Sequence, residues 1–305
     1  MAKPLYIQER PKSLKTLRGN PEAKKILREW VKRDSFPSFI MLTGPSGTGK
    51  TTLARMIAKR LGCGRGDFEE LNAASTGRGI DTIRRIESQM MLSPLHGDGK
   101  VYYFDECHNM SKDAQTASLK MLEDTPGHVT FIYATTDPKK MLPTIRTRAS
   151  IISMKPLNDK DMFDLLTDVC DRHDIDLEDG SLDIIVEHSG GSSRQGLVYL
   201  DQCRSMSVAE IEQAVANESA NTQAIELARA LMSKKPWKTV TELLKSIEEE
   251  PEGLRRMILA YAGSVILGGG KMAPRAYVLV DQFGTNYFDT GKAGLIGDCY
   301  AVYHQ

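Results

Sequence analysis

The chain has 305 residues, enough for two or three domains, and the composition of an ordinary globular protein. Its net charge is zero, which argues against strong nonspecific nucleic-acid binding by the isolated chain. The sequence contains no run of about 18 apolar residues, so we expect no membrane span. The five cysteines are far apart and form no C-x-x-C pair, which argues against a zinc module or a disulfide framework and favours a reducing cytoplasm. The first residues have no apolar stretch, so we expect no signal peptide.

Apolar periodicity and turn residues predict strands and helices in alternation up to Pro156. We expect an extended basic arm over residues 1–18 and then a helix that begins at Pro21. Strands are predicted at about 39–42, 68–72, 101–104, 129–134 and 151–154. Helices are predicted between them at about 50–61, 79–91 and 111–123. This alternation predicts an α/β fold with a parallel sheet covered on both faces.

After Pro156 the pattern predicts helices only, at about 158–173, 181–189, 193–205 and 251–268. The last of these carries an apolar stripe that includes Leu254 and Ile258 and is typical of a helix packed in a core. We therefore expect three domains, at residues 1–156, 157–206 and 207–305.

Residues 44–51, the phosphate loop, read Gly-Pro-Ser-Gly-Thr-Gly-Lys-Thr and match G-x-x-x-x-G-K-S/T between a predicted strand and a predicted helix. In such loops, glycines let backbone N–H groups face phosphates, and the helix N-terminus adds positive potential. Lys50 is predicted to reach the β- and γ-phosphates, and the Thr51 hydroxyl to bind Mg²⁺. The predicted ATP-binding residues here are Gly44, Pro45, Ser46, Gly47, Thr48, Gly49, Lys50, Thr51 and Thr52.

Asp105 and Glu106 end a predicted apolar strand about 50 residues after the phosphate loop. A carboxylate in this position can hold Mg²⁺, and a second one beside it can polarise the attacking water. We assign Asp105 to the metal and Glu106 to the general base. Residues 105–108 also match the D-E-x-H box of superfamily 2 helicases. That class needs a second motor domain, which the helical remainder lacks, so we expect His108 to form local hydrogen bonds.

With these motifs, the chain resembles the AAA+ ATPase subunits of sliding-clamp loaders over residues 9–205. The relatives are the bacterial gamma/tau subunit, replication factor C small subunits and the phage clamp-loader ATPase. The matching segments are residues 10–20, 71–75, 78–81, 105–126, 134–140 and 190–195. The resemblance implies an α/β P-loop AAA+ parallel-sheet domain, a helical lid with the sensor 2 motif, and an all-helical collar that mediates oligomerisation. The zinc module of gamma/tau is absent, and the last 100 residues match no motif of the family.

The resemblance also implies roles for residues outside the phosphate loop. Thr136, with Thr135 beside it, resembles sensor 1, and Arg194 resembles sensor 2, a lid arginine that contacts phosphates. Arg148 resembles the arginine finger that reaches the ATP of a neighbouring subunit, and Arg146 is the alternative for that role. Near the adenine, the resemblance places Arg10, Pro11 and Arg18.

A clamp loader binds ATP and Mg²⁺, forms a pentameric ring with identical or different subunits, opens a sliding clamp and grips primer–template DNA through its phosphates. We expect the chain to be a cytoplasmic ATPase, and the suggested DNA contacts are Arg78, Arg84, Arg85 and Lys112. Residues 90–92 are expected either to touch the clamp or to pack in the core. Two other classes stay open: another AAA+ DNA machine, such as a branch-migration motor or helicase loader, and a non-hydrolysing structural subunit of a loader ring.

Overall fold

The computed structural model describes residues 3–73, 79–247 and 249–305, apart from the side chains of residues 216–221. The chain divides into two compact units, residues 1–208 and residues 209–305. The assignment of a sheet domain, a lid and a collar to residues 1–156, 157–206 and 207–305 stays a prediction.

Among the described residues, the strands of the first unit form one parallel sheet in the order β2-β3-β4-β1-β5. The strands are β1 (Phe39–Thr43), β2 (Phe68–Asn72), β3 (Lys100–Asp105), β4 (Val129–Thr135) and β5 (Ser150–Ser153). Every residue of β1 and β4 is buried, as continuous apolar strands of a sheet covered on both faces require. The predicted α/β class and the five predicted strands are confirmed.

The register of the sheet brings the carboxyl ends of the strands to one edge. Thr43 pairs with both Thr135 and Ser153, and Asn72 pairs with Asp105. Because β1 lies between β4 and β5, the loop that follows β1 emerges beside the end of β4. Ligands of open parallel sheets bind at this edge.

Helices cover both faces of the sheet. The helices of the first unit are α1 (Leu5–Gln8), α2 (Pro21–Lys32), α3 (Lys50–Arg60), α4 (Ile80–Gln89), α5 (Lys112–Glu123), α6 (Pro143–Arg146), α7 (Asp159–His173), α8 (Ser181–His188) and α9 (Ser193–Gln202). Side chains alternate between the faces, so Phe39 and Met41 share a core with α4 and α5, whereas Ile40 and Leu42 share one with α2 and α3.

Polar side chains set the predicted helix starts. The Ser111 hydroxyl accepts a hydrogen bond from the Ala114 N–H at 3.1 Å, and the Asn158 side chain accepts one from the Asp161 N–H at 2.7 Å. Each bond satisfies a backbone donor that has no partner within its helix. The predicted starts of α5 and α7 are therefore confirmed.

The N-terminal segment departs from the extended arm that the sequence predicted. Residues 5–8 form the short helix α1, which packs against α9. Leu5 is fully buried, and its backbone N–H donates to Asp201 Oδ2 at 3.2 Å. The expectation was wrong here because this turn is stabilised by tertiary contacts that its own four residues do not reveal.

The second unit is all helical in its described residues. Its helices are α10 (Val208–Met232, which begins at the boundary), α11 (Trp237–Ser246), α12 (Pro251–Leu267), α13 (Ala273–Gln282) and α14 (Gly291–His304). Leu254, Ile258 and Ala262 lie on one face of α12 and are fully buried in the core formed with α13 and α14. The predicted stripe is confirmed as core. In the described part of the chain, no helix has the length and apolar character needed to cross a bilayer.

Glu252, in the first turn of α12, is the centre of a polar network in this unit. Its carboxylate accepts hydrogen bonds from Arg255 at 2.7 and 2.8 Å, from the Tyr287 backbone N–H at 3.1 Å and from Arg256 at 3.1 Å. The Arg255 bond, followed by those from Tyr287 and Arg256, lowers the pKa of Glu252 from 4.5 to about 2. Glu252 thus links the start of α12 to the segment between α13 and α14.

Because this pKa is lower in the folded chain, the contribution of Glu252 to stability is present above pH 4.5 and is lost as the pH falls towards 2. We expect Glu252→Gln to lower the free energy of unfolding at neutral pH. The free energy of unfolding of this variant should also decrease less than that of the wild type between pH 4.5 and about 2. Trp237 fluorescence, recorded in a Trp30→Phe background, reports unfolding of this unit during urea titrations. The exposed Glu242, changed to Gln, serves as the control. Equal pH profiles for the two variants would contradict the expectation.

Candidate ATP-binding site

The phosphate loop joins β1 to α3 and needs glycine at defined positions. Gly44, Gly47 and Gly49 have φ values of 140°, 75° and 93°, which L side chains rarely adopt. A Cβ at Gly44 would lie 2.1 Å from the Met154 carbonyl oxygen, and one at Gly47 would lie 1.9 Å from Ser192 Oγ. Any side chain at Gly44 would displace the backbone that follows β5, and any side chain at Gly47 would displace Ser192 at the start of α9.

Lys50 is the first residue of α3, and its side chain turns back over the phosphate loop. Its Nζ donates to the carbonyl oxygens of Gly44 at 2.7 Å and Pro45 at 2.8 Å. Burial lowers the pKa of Lys50, although the nearby Glu106 and Asp105 act to raise it. The ammonium group is thus anchored at the loop, where a bound phosphate would meet it.

Three oxygen-bearing side chains connect α3 to the end of β3. The Thr51 hydroxyl lies 3.0 Å from the Tyr103 hydroxyl, which donates to Asp105 Oδ1 at 2.9 Å. Thr51 and Asp105, the two residues predicted to hold Mg²⁺, are therefore brought together. The sequence analysis treated Tyr103 only as a strand residue. It missed this bridge because the bridge depends on how α3 packs against β3.

Glu106 begins the turn after β3 in a left-handed conformation, with φ of 50°. Such a conformation is unusual outside glycine and occurs often at functional sites. Glu106 Oε2 accepts a hydrogen bond from the Thr136 hydroxyl at 3.3 Å and lies 3.3 Å from His108 Nδ1. His108 Nδ1 also lies 3.0 Å from Thr135 Oγ1. The predicted general base thus lies beside the predicted sensor 1 residue, and the contacts of His108 are local.

One pocket collects most of the predicted ATP-binding residues. Those that line it are Arg10, Pro11, Ser46, Gly47, Gly49, Lys50, Thr51, Thr52 and Arg194, together with Asp105, predicted for the metal, and Glu106, predicted as the general base. Arg18 and Thr48 line an adjoining pocket together with Pro11 and Leu157, and Arg18 also forms an ion pair with Asp168. Residues that the sequence separates by up to about 180 positions therefore meet at one edge of the sheet.

The pocket has a positive character near the N-terminal segment. Burial lowers the pKa of Arg10, and the neighbouring charges of Arg55 and Arg194 lower it further, although Glu70 acts to raise it. Positive charges gathered in this way favour a polyanion over a neutral ligand.

Helix α9 lines the pocket through Ser193, Arg194 and Leu197, and α7 is bonded to the N-terminal segment. The Ser193 hydroxyl donates to the Gly47 carbonyl oxygen at 3.1 Å, and Arg194 lies next to it in the first turn of α9. At the end of α7, His173 Nε2 lies 2.7 Å from Glu9 Oε1, which joins this helix to the N-terminal segment. Arg194 is thereby placed close to the phosphate loop of its own chain.

Arg148 lies outside this pocket, on an exposed turn after α6. Its guanidinium donates to the Thr144 carbonyl oxygen at 2.9 Å and forms an ion pair with Glu123. Arg146 is less exposed, and its Nε is buried without a hydrogen-bond partner among the described residues. Of the two candidates for the arginine finger, Arg148 is the more exposed.

The predicted DNA contacts have varied surroundings. All three described candidates are exposed, and Arg85 pairs with Glu69 at 2.6 Å, Arg84 pairs with Asp81 at 3.8 Å, and Lys112 lies at the start of α5. Arg78 lies outside the described residues. Helices α4 and α5 pack against each other, so the three described candidates belong to one helical layer. Their contact with DNA stays a prediction.

An exposed apolar patch follows α4. Its members, Met91, Leu92 and Leu95, have exposed fractions of 57%, 62% and 70%, whereas Met90 is fully buried. Met90 therefore packs in the core, and Met91 and Leu92 are free to touch a partner. The sequence analysis did not include Leu95, because the segment that follows α4 has no regular periodicity.

Comparison with known proteins places these features in a family. The model of the family described as "DNA polymerase III, delta subunit" matches residues 65–158. The chain is 31% identical over 234 residues to a replication factor C small subunit of Methanococcus maripaludis, covering 75% of this chain and 73% of that protein. It is 30% identical over 285 residues to DNA polymerase III subunit tau of Bacillus subtilis, covering 84% of this chain and 50% of that protein. The chain thus spans half the length of the Bacillus subtilis relative.

Similar solved structures include Thermotoga maritima RuvB, described as a Holliday junction branch migration motor, with a TM-score of 0.55 and 21% identity. That similarity covers 81% of this chain and 84% of RuvB. At this identity the likeness shows the AAA+ fold alone. The sequence relatives are closer, and the chain belongs to the family of AAA+ clamp-loader subunits that includes the replication factor C small subunit and the DNA polymerase III gamma/tau subunit.

Proposed function

We propose that the chain is an ATPase subunit of a DNA sliding-clamp loader, which uses ATP binding and hydrolysis to open a clamp and load it onto primer–template DNA during replication. The observation that carries the proposal is the convergence of the phosphate loop, Asp105, Glu106 and Arg194 on one pocket, in a chain whose relatives are replication proteins. The glycine geometry of the loop and the anchored Lys50 suit a nucleoside triphosphate.

The residues of the site also fit Mg²⁺. The Thr51 hydroxyl and the Asp105 carboxylate supply hard oxygen ligands, which Mg²⁺ prefers. Within the described part of the chain, His, Cys, Asp and Glu side chains form no cluster of three that would hold a metal by itself. Bound at this site, Mg²⁺ would neutralise part of the charge of the phosphates.

Each catalytic side chain has a role that its position supports. Lys50 and the backbone N–H groups of the phosphate loop hold the phosphates, and Arg194 contacts them from α9. Glu106 accepts the proton of the attacking water, and Thr136, which already donates to its carboxylate, keeps that group oriented.

The active site is shared between neighbouring subunits. Arg148 is exposed and lies away from the pocket of its own chain, as an arginine that serves the ATP of a neighbour must. The partners are therefore other loader subunits, identical or different, arranged in a pentameric ring by the second unit acting as a collar. A single chain then lacks one component of its own active site.

The clamp and the DNA bind other surfaces of the first unit. The apolar patch of Met91, Leu92 and Leu95 contacts the sliding clamp, because exposed apolar side chains in a group favour a protein partner. Arg78, Arg84, Arg85 and Lys112 contact DNA phosphates. Such contacts carry no sequence information, which suits a protein that acts at any primer end.

A second candidate is another AAA+ machine that acts on DNA, because the AAA+ fold by itself does not separate such a machine from a loader subunit. A third, a structural ring subunit that does not hydrolyse ATP, is disfavoured because Lys50, Thr51, Asp105 and Glu106 are all present and brought together. Activity measurements separate the three candidates.

The test measures ATP hydrolysis by the purified chain with its partner subunits, with and without primed DNA and the clamp. We expect weak hydrolysis by the chain alone and a large increase when the partner subunits, DNA and clamp are all present. High activity of the isolated chain that is indifferent to clamp and DNA would instead favour another AAA+ machine. An assembled ring that binds ATP but turns none over would favour a structural subunit.

A further inference from the structure

We propose that the Tyr103 hydroxyl is a positioning group of the metal site, which directs the Thr51 hydroxyl and the Asp105 carboxylate towards Mg²⁺. This inference rests on the proposed function, because it assigns a residue to the same site. Tyr103 belongs to none of the motifs found in the sequence, and nothing in the phosphate loop or in the Asp-Glu pair requires a tyrosine there.

The geometry of β3 places Tyr103 where it can do this. Side chains alternate along a strand, so Tyr103 and Asp105 point to the same face of the sheet, and Tyr103 packs in the core shared with α3. Tyr103 is fully buried, and its ring stacks on Phe68 with a centroid distance of 6.1 Å and an interplanar angle of 17°. The position of its hydroxyl is therefore fixed by packing on the side of the sheet that carries Thr51.

The directions of the hydrogen bonds follow from the chemistry of the three groups. An ionised carboxylate only accepts, so the single proton of the Tyr103 hydroxyl goes to Asp105 Oδ1, at 2.9 Å. The Thr51 hydroxyl, 3.0 Å from the Tyr103 oxygen, must then donate its own proton to that oxygen. With its proton committed to Tyr103, Thr51 keeps its lone pairs for the metal.

Asp105 is oriented by the same chain of bonds. Its Oδ1 accepts from Tyr103 and also from the backbone N–H of Glu106 at 3.1 Å. With two donors on Oδ1, the other oxygen, Oδ2, is left for the metal or for a water molecule bound to it. The bonds around a metal ligand fix its orientation, and loss of such a partner typically weakens metal binding by about 10- to 100-fold.

The test compares Tyr103→Phe with Tyr102→Phe. Each change removes one phenolic oxygen and keeps the ring, but Tyr102 lies on the opposite face of the same strand, where its ring stacks on Phe131 at 5.5 Å. The measurement is the affinity of the full-length chain for a fluorescent ATP analogue, determined over a series of Mg²⁺ concentrations and in EDTA. Both affinities come from the same preparation, so their ratio does not depend on the fraction of chain that is folded.

We expect Tyr103→Phe to raise the Mg²⁺ concentration for half-maximal enhancement of binding by about 10-fold or more, and to leave the affinity in EDTA unchanged. Tyr102→Phe should match the wild type both in this Mg²⁺ concentration and in the affinity in EDTA. If the wild type shows Mg²⁺-dependent binding and Tyr103→Phe has the same dependence as Tyr102→Phe, the role of Tyr103 is wrong and the proposed function stands. Wild-type binding that Mg²⁺ does not change would overturn the proposed metal site and the role of Tyr103 with it.

Discussion

Glu106→Gln is expected to slow ATP hydrolysis by the assembled loader by about 10²- to 10⁴-fold while ATP binding is retained. The amide cannot take a proton from water, but it is close to the carboxylate in size and can still accept the hydrogen bond from Thr136. Glu106 lines the pocket, while the groups that would hold the phosphates, Lys50 and the loop backbone, are separate from it. The substitution therefore removes the proton acceptor and spares the binding contacts.

Asp105→Asn provides the matched comparison, since it makes the same chemical change in the neighbouring residue. Because Asp105 is assigned to the metal, its change should weaken Mg²⁺-dependent nucleotide binding as well as hydrolysis. Single-turnover hydrolysis and equilibrium binding, measured for both variants, separate the two roles. The assignment of the base would be overturned if Glu106→Gln lost binding to the same extent as Asp105→Asn, or if it hydrolysed ATP at the wild-type rate.

Arg148→Ala is expected to reduce hydrolysis in the assembled ring by about 10³-fold or more, the range observed for arginine fingers. ATP binding to the same chain should be unaffected, because Arg148 lies outside its own pocket. In the single chain, Glu123 and the Thr144 carbonyl oxygen hold the guanidinium at the surface. The phosphates of ATP bound to a neighbouring subunit carry more negative charge than Glu123, so they would compete with Glu123 for the guanidinium of Arg148.

A mixing experiment tests whether two chains share one active site. Two inactive variants, Arg148→Ala and Lys50→Ala, are assembled together in a ring that contains more than one copy of this chain, and ATP hydrolysis is measured. Some interfaces then combine an intact phosphate loop with an intact Arg148 from the next chain, and hydrolysis should return in part. Arg146→Ala is the control and should keep most of the activity. Failure of the mixture to regain activity, or a larger loss for Arg146→Ala, would contradict the assignment of Arg148.

The parts of the site that depend on local sequence could be predicted, and those that depend on packing could not. The phosphate loop and Asp105 were accessible because a glycine-rich turn and a carboxylate at the end of an apolar strand carry their own signals. The hydrogen bond between Thr51 and Tyr103 joins residues 52 positions apart and exists only because α3 lies against β3. The pairing of Arg85 with Glu69 likewise depends on how α4 packs beside β2.

The fold shows the same division. Periodicity predicted the strands, the longer helices of the first unit and α12, since their apolar residues repeat over many positions, but it did not predict α10, α11, α13 or α14 individually. It missed α1, whose stability comes from the burial of Leu5 against α9, and α6, a single turn of four residues. Most helices of the second unit carry no motif, so their arrangement could not be derived from residue patterns alone.

The division of the chain into two compact units has a thermodynamic consequence. All residues of the candidate site belong to residues 1–208, so ATP bound there favours the folded state of the first unit only. A ligand at 100 times its dissociation constant adds about 2.7 kcal/mol to the unfolding free energy of the unit that binds it. The second unit depends on its own helical core, with residues such as Ile258 and Phe283. A rising nucleotide concentration would therefore stabilise the first unit relative to the second.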